Sequence, residues 1–355
     1  MGTTREASAG IPGIITPGQI VETARSIASV QLPSGMIQWF EGGHADPWNH
    51  VEAAMALAVA GLVPEAERAY RWLEECQLPD GSWFNYYVAD SDGTIGVEDF
   101  RKDTNVCAYI ATGAWFHYLL TGDRDFLGSL WPTVEAAIEF VLGLQRPRGE
   151  VLWCVEADGS PGEFALLTGS SSICLSVRCA AAAAEILGKD RSHWLDAADR
   201  LAHVVSTVPD AFEPKDRWAM DWYYPVLCGA LTGDAALERI ERGWESFVVD
   251  GVGVRCVSDR PWVTAAETAE CVLALDAAGM TAEGLELLGW THFLRDRDGA
   301  YWTGWVFPDD VHFPGGERTT YTSAAIILAA HALSSDDPAA GLFRAWAGDE
   351  PNDGE

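Results

Sequence analysis

The 355-residue sequence predicts an all-α fold, a single (α/α)6 barrel with twelve helices in inner and outer rings. Three observations lead there. Apolar residues recur at helical spacing in twelve segments, and no convincing strand pattern interrupts them. Even-numbered segments leave through short turns marked by Gly61, Gly122, Gly188, Gly233 and Gly279; these lie 61, 66, 45 and 46 residues apart, the pattern of one helix pair repeated with loops of varying length. The even-numbered segments are also the more alanine-rich, and a helix apolar all round is a buried one. The even helices therefore form the inner ring and the odd ones the outer. Six long loops then share one face, above the N-termini of the inner helices, and function is expected on that face.

In chain order, residues 1–16 read as a flexible tail, 17–343 as the toroid domain and 344–355 as an acidic tail. The first helix covers 17–30. Asp46 caps the second, with Pro47 in its first turn, and the helix runs to Gly61. The third covers 64–76. Asp103 caps the fourth, in which Gly113 lets a neighbouring helix approach, and Gly122 ends it as a left-handed cap. Asp123 caps the fifth almost at once, so residues 102–142 form a tight αα-hairpin. The sixth helix covers 170–187 and the seventh 191–206. The eighth and ninth cover 218–231 and 235–248, the tenth 262–278, and the eleventh ends near 294. The twelfth follows Glu317.

Composition bounds the partners. With 23 basic against 53 acidic residues the formal charge is −30, which excludes nucleic acid and anionic membranes as partners. No apolar run reaches the length of a membrane span, and residues 1–10 lack the basic and apolar regions of a secretory signal. Eight cysteines contain no Cys-x-x-Cys pair, so reduced, buried thiols in a cytoplasmic protein are expected. There is no nucleotide loop or redox motif, and no organic cofactor or metal is expected.

Four loops share a local pattern: Gln31-Leu-Pro-Ser-Gly before Trp39, Gln77-Leu-Pro-Asp-Gly before Trp83, Gln145-Arg-Pro-Arg-Gly before Trp153, and Arg297-Asp-Gly before Trp302. Pro or Asp-Gly builds a tight turn after each outer helix. The tryptophan then either staples the turn to the barrel or forms a stacking wall. Rings on the loop face (Trp39, Trp48, Trp83, Tyr86, Trp218, Trp222, Trp262, Trp302, Trp305, Tyr321) are interleaved with His44, Asp46, His50, Asp103, Asp221, Arg260, Glu267 and His312. These are the candidate substrate-binding residues. An aromatic hollow with carboxylates suits a sugar, whose apolar faces stack on rings, or a carbocation stabilised by π faces.

The stretch from Lys102-Asp-Thr-Asn through residue 142, with residues 168–188 and 313–333, resembles the corresponding parts of glucoamylase-like six-hairpin glycosidases. The resemblance touches about a third of the chain. It implies a glycoside hydrolase of the two-carboxylate type, acting on a small glycoside, with its catalytic groups on the loops before the sixth and twelfth helices. Those loops offer Glu156 and Glu163, then Asp309, Asp310 and Glu317. Glu163, beside an apolar run, suits a raised pKa; Glu317 suits a helix start as well as a base. The Trp-Glu acid dipeptide of that group is absent from its expected loop; Trp244-Glu245 lies in the ninth helix.

A second resemblance, of Gln77-Leu-Pro-Asp-Gly-Ser-Trp83 to the turn motif of squalene-cyclase and prenyltransferase-like toroids, implies an isoprenoid substrate instead. The chain has no Asp-x-Asp-Asp acid of the squalene type. His44, Asp46 and His50 have metal-ligand spacing, but Asp46 is needed as a cap and no cysteine lies nearby. Paired histidines among His44, His50 and His312 would mark a sugar epimerase. A site without converging titratable groups would mark a non-catalytic binding toroid.

Overall fold

The computed structural model describes residues 10–346, and among these it has thirteen α-helices and nine short strands. The outer helices are α1 (Pro17–Val30), α3 (Val63–Cys76), α6 (Arg124–Leu142), α8 (Ser192–Thr207), α10 (Gly233–Phe247) and α12 (Thr281–Trp290). The inner set is α2 (Pro47–Val59), α4 (Thr104–Ala108) continuing past Tyr109 as α5 (Ile110–Thr121), α7 (Leu167–Leu187), α9 (Ala219–Leu227), α11 (Ala265–Ala277) and α13 (Thr320–Ser334). The inner helices pack in succession, α2 on α5, α5 on α7, α7 on α9, α9 on α11 and α11 on α13, and α13 returns to α2. α2, α11 and α13 are buried along nearly their whole length, as their largely apolar sequences require. The outer helices bury one stripe only; α10 buries Ala236, Ile240 and Phe247 and turns its charged side outward.

The expected start and stop signals operate. The carboxylates of Asp46, Asp103 and Asp123 accept N–H bonds from the first turns of α2, α4 and α6. Gly122 and Gly188 close α5 and α7 in the left-handed conformation. Gly113 sits where a side chain would collide with Val51 at 2.3 Å, so α5 and α2 touch there at backbone distance.

The repeated turn motif has one structural cause. Gln31, Gln77 and Gln145 each donate from Nε2 to the carbonyl of the glycine four residues on and to a carbonyl of the next outer helix. Those glycines, Gly35, Gly81 and Gly149, have φ of 99°, 88° and 128°. Any Cβ there would lie 2.2–2.7 Å from a carbonyl oxygen of α3, α6 or α8. Gly299 makes the same approach to Glu22 of α1. The motif is a clasp between successive outer helices.

Some expectations are corrected. The helices are joined by strands, so all-α is approximate. The strands are β1 (Tyr86–Ala89), β2 (Ile95–Asp99), β3 (Lys102–Asp103), β4 (Cys154–Val155), β5 (Val248–Val249), β6 (Gly253–Arg255), β7 (Trp262–Thr264), β8 (Gly304–Val306) and β9 (Val311–Phe313). β1 pairs with β2, β3 with β4, and β5 to β9 form one antiparallel sheet in chain order. Runs of two to five residues are too short to show alternation. α9 ends at Leu227, before left-handed Gly229, and Gly233 instead opens α10. Residues 10–16 pack on the helices, with Ile11 and Ile15 buried. At the other end Arg344 pairs with Asp276 and donates to the Ala332 carbonyl. The remainder of both tails lies outside the described residues. α7 has the length and hydropathy of a membrane-spanning helix, contrary to the expected absence of such a run, yet 67% of that stretch is buried within the ring.

Candidate active site

The N-termini of α2, α4, α9, α11 and α13 converge on a cavity of about 470 Å³. Its rings are Trp39, Trp48, Tyr86, Trp153 and Tyr321, its carboxyls Asp46, Asp103, Glu267 and Glu270, and its one basic lining residue is Arg101. Asn49, Asn85 and Asn105 add amides, and Val106, Met220 and Ala266 a small aliphatic surface.

Two carboxylates are built alike. Asp46 caps α2 and accepts the indole N–H of Trp39 at 2.7 Å; Asp103 caps α4 and accepts that of Trp153 at 2.6 Å. Each tryptophan is thereby fixed as a wall by the residue that starts an inner helix. His44 stacks on Tyr86 (4.4 Å, 28°), meets Trp39 edge-on and pairs with Glu98, bracing two walls from behind. Arg101, paired with Asp99, lies over the Trp153 ring at 5.2 Å.

Burial sets the titration of these groups. It raises Asp103 to about 6 against the N–H bonds of Val106, Trp153 and Asn105, which pull the other way. Burial raises Asp46 and Glu267 too. In the cavity lining Glu270 accepts from the hydroxyls of Tyr223 and Tyr224, and outside it Glu52 accepts from that of Tyr109. With no cation beside them, burial pushes Glu52 up to about 8 and Glu270 well above the carboxylate range.

Of the candidate substrate-binding residues, Trp39, Asp46, Trp48, Tyr86, Asp103, Glu267 and Tyr321 line this cavity. The others stand elsewhere. His50 is buried between the Ile37 N–H and the Ala69 carbonyl, and Trp83 is a fully buried staple donating to the Leu73 carbonyl. Asp221 accepts from Thr168, and Trp222 stacks on Phe247. Trp262 stacks on Phe313 beneath Arg260, Trp302 lies between His312 and Arg318, and Trp218 is 47% exposed. The indole of Trp305 donates to Asp310.

The five candidate catalytic carboxyls do not reach the cavity. Glu156 heads a tight turn closed by Ser160, and Glu163 is exposed. Asp309 and Asp310 form the exposed tip of the β8–β9 hairpin, where Asp310 takes a φ of 54°. Glu317 lines a separate rim cavity of about 430 Å³. These loops fold as hairpins and turns that leave Glu163, Asp309 and Asp310 exposed and Glu156 and Glu317 half-buried outside that cavity. The histidines do not converge either, since His50 is walled off and His312 stacks on Trp302.

Sequence reasoning left out of the site Trp153, Arg101, Glu270, Met220 and the three asparagines. Asn49 and Asn105 stand three and two residues beyond their caps, and Glu270 three beyond Glu267. One helical turn past an inner-ring start was the usable signal.

An aromatic cavity lined by carboxyls, at the mouth of a ring of helical hairpins, fits a glycoside hydrolase. Comparison with known proteins agrees. No family model matches the sequence. The MMP endo-(1,4)-3-O-methyl-alpha-D-mannosidase of Mycolicibacterium hassiacum is 52% identical over 339 residues, 96% of this chain and 92% of that protein. The chain belongs to the family of that glycosidase. In fold it is similar to a glycosidase variant solved with glucose (TM-score 0.68, 17% identity, 90% of this chain and 98% of that one). It is equally similar to the GH63 mannosylglycerate hydrolase of Thermus thermophilus (TM-score 0.68, 13% identity, 87% and 99%). The sugar reading thus replaces the isoprenoid one.

Proposed function

We propose that the protein hydrolyses an α-1,4-linked 3-O-methylmannoside with inversion, using Asp103 and Glu267 as its two carboxyls. The observation that carries this reading is their placement. In the ring order α2, α4/α5, α7, α9, α11, α13, the helices bearing Asp103 and Glu267 are three steps apart in either direction. They face each other across one cavity. Inversion needs its two carboxyls about 6.5–9.5 Å apart, so that water fits between base and sugar.

The donors assign the roles. Three N–H groups point at Asp103 and favour its charged form, which suits the base. Glu267 is raised by burial, with only the Thr264 hydroxyl and its own backbone N–H pulling the other way, which suits the acid. Asp46 carries the same kind of bonds but is only 3% exposed, and serves to hold Trp39. The rings supply stacking surfaces for sugar faces.

The test is hydrolysis of 3-O-methylmannose oligomers by the wild type, Asp103→Asn, Glu267→Gln and Asp46→Asn. Each of the first two substitutions should cut kcat by about 10²–10⁴-fold. Azide should rescue Asp103→Asn only, and an activated aryl leaving group Glu267→Gln only. Full activity in either variant, or a first-formed anomer of retained configuration, overturns the assignment. A single toroid, acting in the cytoplasm on a small sugar without a cofactor, completes the reading; seven of the eight free thiols being buried is consistent with it.

A further inference from the structure

Inner helix α11 carries three acids, each in a different setting. Glu267 lines the central cavity, and Asp276 pairs with Arg344. Glu270 is 5% exposed, and among the described residues no cation pairs with it. Burying a carboxyl without a cation costs more than an apolar side chain would. Its neighbours Ala269, Cys271 and Val272 show what packing alone calls for. The fold gives no reason for an acid at this position.

The bonding of the carboxyl supplies one. Tyr223 donates to Oε2 and Tyr224, at 2.9 Å, to Oε1. Both tyrosines stand on α9 and are buried, so the two bonds fix the plane of the carboxyl. A carboxylate has about four acceptor positions. Among the described residues these two hydroxyls are its only hydrogen-bond partners. Glu270 nevertheless lines the central cavity, one helical turn past Glu267 on the same face of α11. Ala266, four residues before it and also in the lining, is too small to cover it. Glu52, the other buried acid without a cation, does not reach the lining, and neither do the two tyrosines.

We infer that Glu270 is a substrate-binding residue, whose carboxyl hydrogen-bonds one hydroxyl of the sugar ring that bears the bond to be cut. Tyr223 and Tyr224 are then positioning residues, which aim the carboxyl without meeting the sugar. A hydroxyl both donates and accepts, so it pairs with the carboxyl whether or not that carries a proton. The inference rests on the proposed hydrolysis between Asp103 and Glu267. It also implies selectivity, since a sugar without that hydroxyl leaves a buried polar group unpaired, the loss that binding sites reject most strongly.

The test uses an aryl α-glycoside of a 3-O-methylmannose oligomer, and two analogues whose aryl-bearing residue has hydrogen in place of the 2- or the 6-hydroxyl. The wild type should lose about 100-fold or more in kcat/KM on one analogue relative to the other. Glu270→Met should lose a similar factor on the parent and little further on that analogue, because the partner of the missing hydroxyl is already gone. Glu270→Gln, of the same size and with groups for tyrosine and sugar alike, should keep most of the parent activity and the wild-type preference. Circular dichroism shows whether Glu270→Met folds; if it does not, Tyr224→Phe, which loosens the carboxyl in place, should show the same coupling at smaller size. Equal cleavage of all three substrates by the wild type overturns the inference and leaves the hydrolase standing. So does a loss of one size on all three in the variant, the mark of a structural role. Failure of the wild type to cleave any of the three overturns the hydrolase reading itself.

Discussion

Asp103 combines a capping role with a titration near the middle of the pH range: burial raises its carboxyl, and the capping bonds hold that rise back. If it is the base, kcat/KM rises as pH passes about 6, where the carboxyl loses its proton. The Trp153 indole donates to the charged form, so Trp153→Phe should move this acid limb upward. The shift expected is about one pH unit, the equivalent of about 1.5 kcal/mol for a bond to a charged acceptor. A pH–rate profile checks it, and a limb that moves down or stays put removes Asp103 from the role.

Glu52 makes a separate prediction about stability. Its folded value of about 8 lies above the ordinary 4.5, so between these values the folded state holds a proton that the unfolded chain has released. Stability therefore falls as pH rises through that window, by about 1.4 kcal/mol per unit from this group at most. Glu52→Gln, which is always neutral, should flatten the fall. Urea unfolding at pH 5 and pH 8 measures both slopes. At this scale the sequence was half legible. Asp46 and Asp103 stood out because a capping aspartate beside a tryptophan-bearing loop has two possible employments. Glu52 and Glu270 sit among alanines in apolar helices, and nothing local distinguishes a buried acid from a surface one.

Helices were the legible elements because their signals are local. Asp caps, Pro at the first turn and glycine at the end each act through neighbours three or four residues away. Gly113 could be read as a close approach, though its partner, Val51, could not. The strands were not legible, being pairs such as β3 with β4 whose partners lie some fifty residues off. The glutamine–glycine clasp falls between these cases, since its repetition was visible and its cause was not. Gly81 tests that cause. With φ of 88° and the Ala136 carbonyl 2.2 Å from any Cβ, Gly81→Ala forces both backbone strain and a collision. It should destabilise by about 2–4 kcal/mol. At Gly93, whose φ is 85° with open space around it, alanine should cost only the strain, about 1 kcal/mol. Equal losses in the two variants, read from denaturant midpoints, would show that the clasp contact contributes nothing.

At the scale of the whole molecule the ring is the unit, because each inner helix is buried by its two neighbours and the first is buried by the last. Five buried cysteines report on it: Cys107 on α4, Cys174 and Cys179 on α7, Cys228 at the end of α9 and Cys271 on α11. A hairpin that opened alone would expose the inner faces of both its neighbours along with its own. That loss of apolar burial resembles global unfolding in size, so local opening gains little over opening the ring. Thiol labelling of the native protein should accordingly proceed at one common rate for these five, equal to the rate of global unfolding. The half-buried Cys76, in the last turn of outer α3, is free to react on its own schedule. Mass spectrometry of partly labelled protein separates the outcomes. A two-population pattern, unlabelled and fully labelled at the five sites, fits a closed ring, whereas a ladder of singly and doubly labelled species would mean that the hairpins open one at a time.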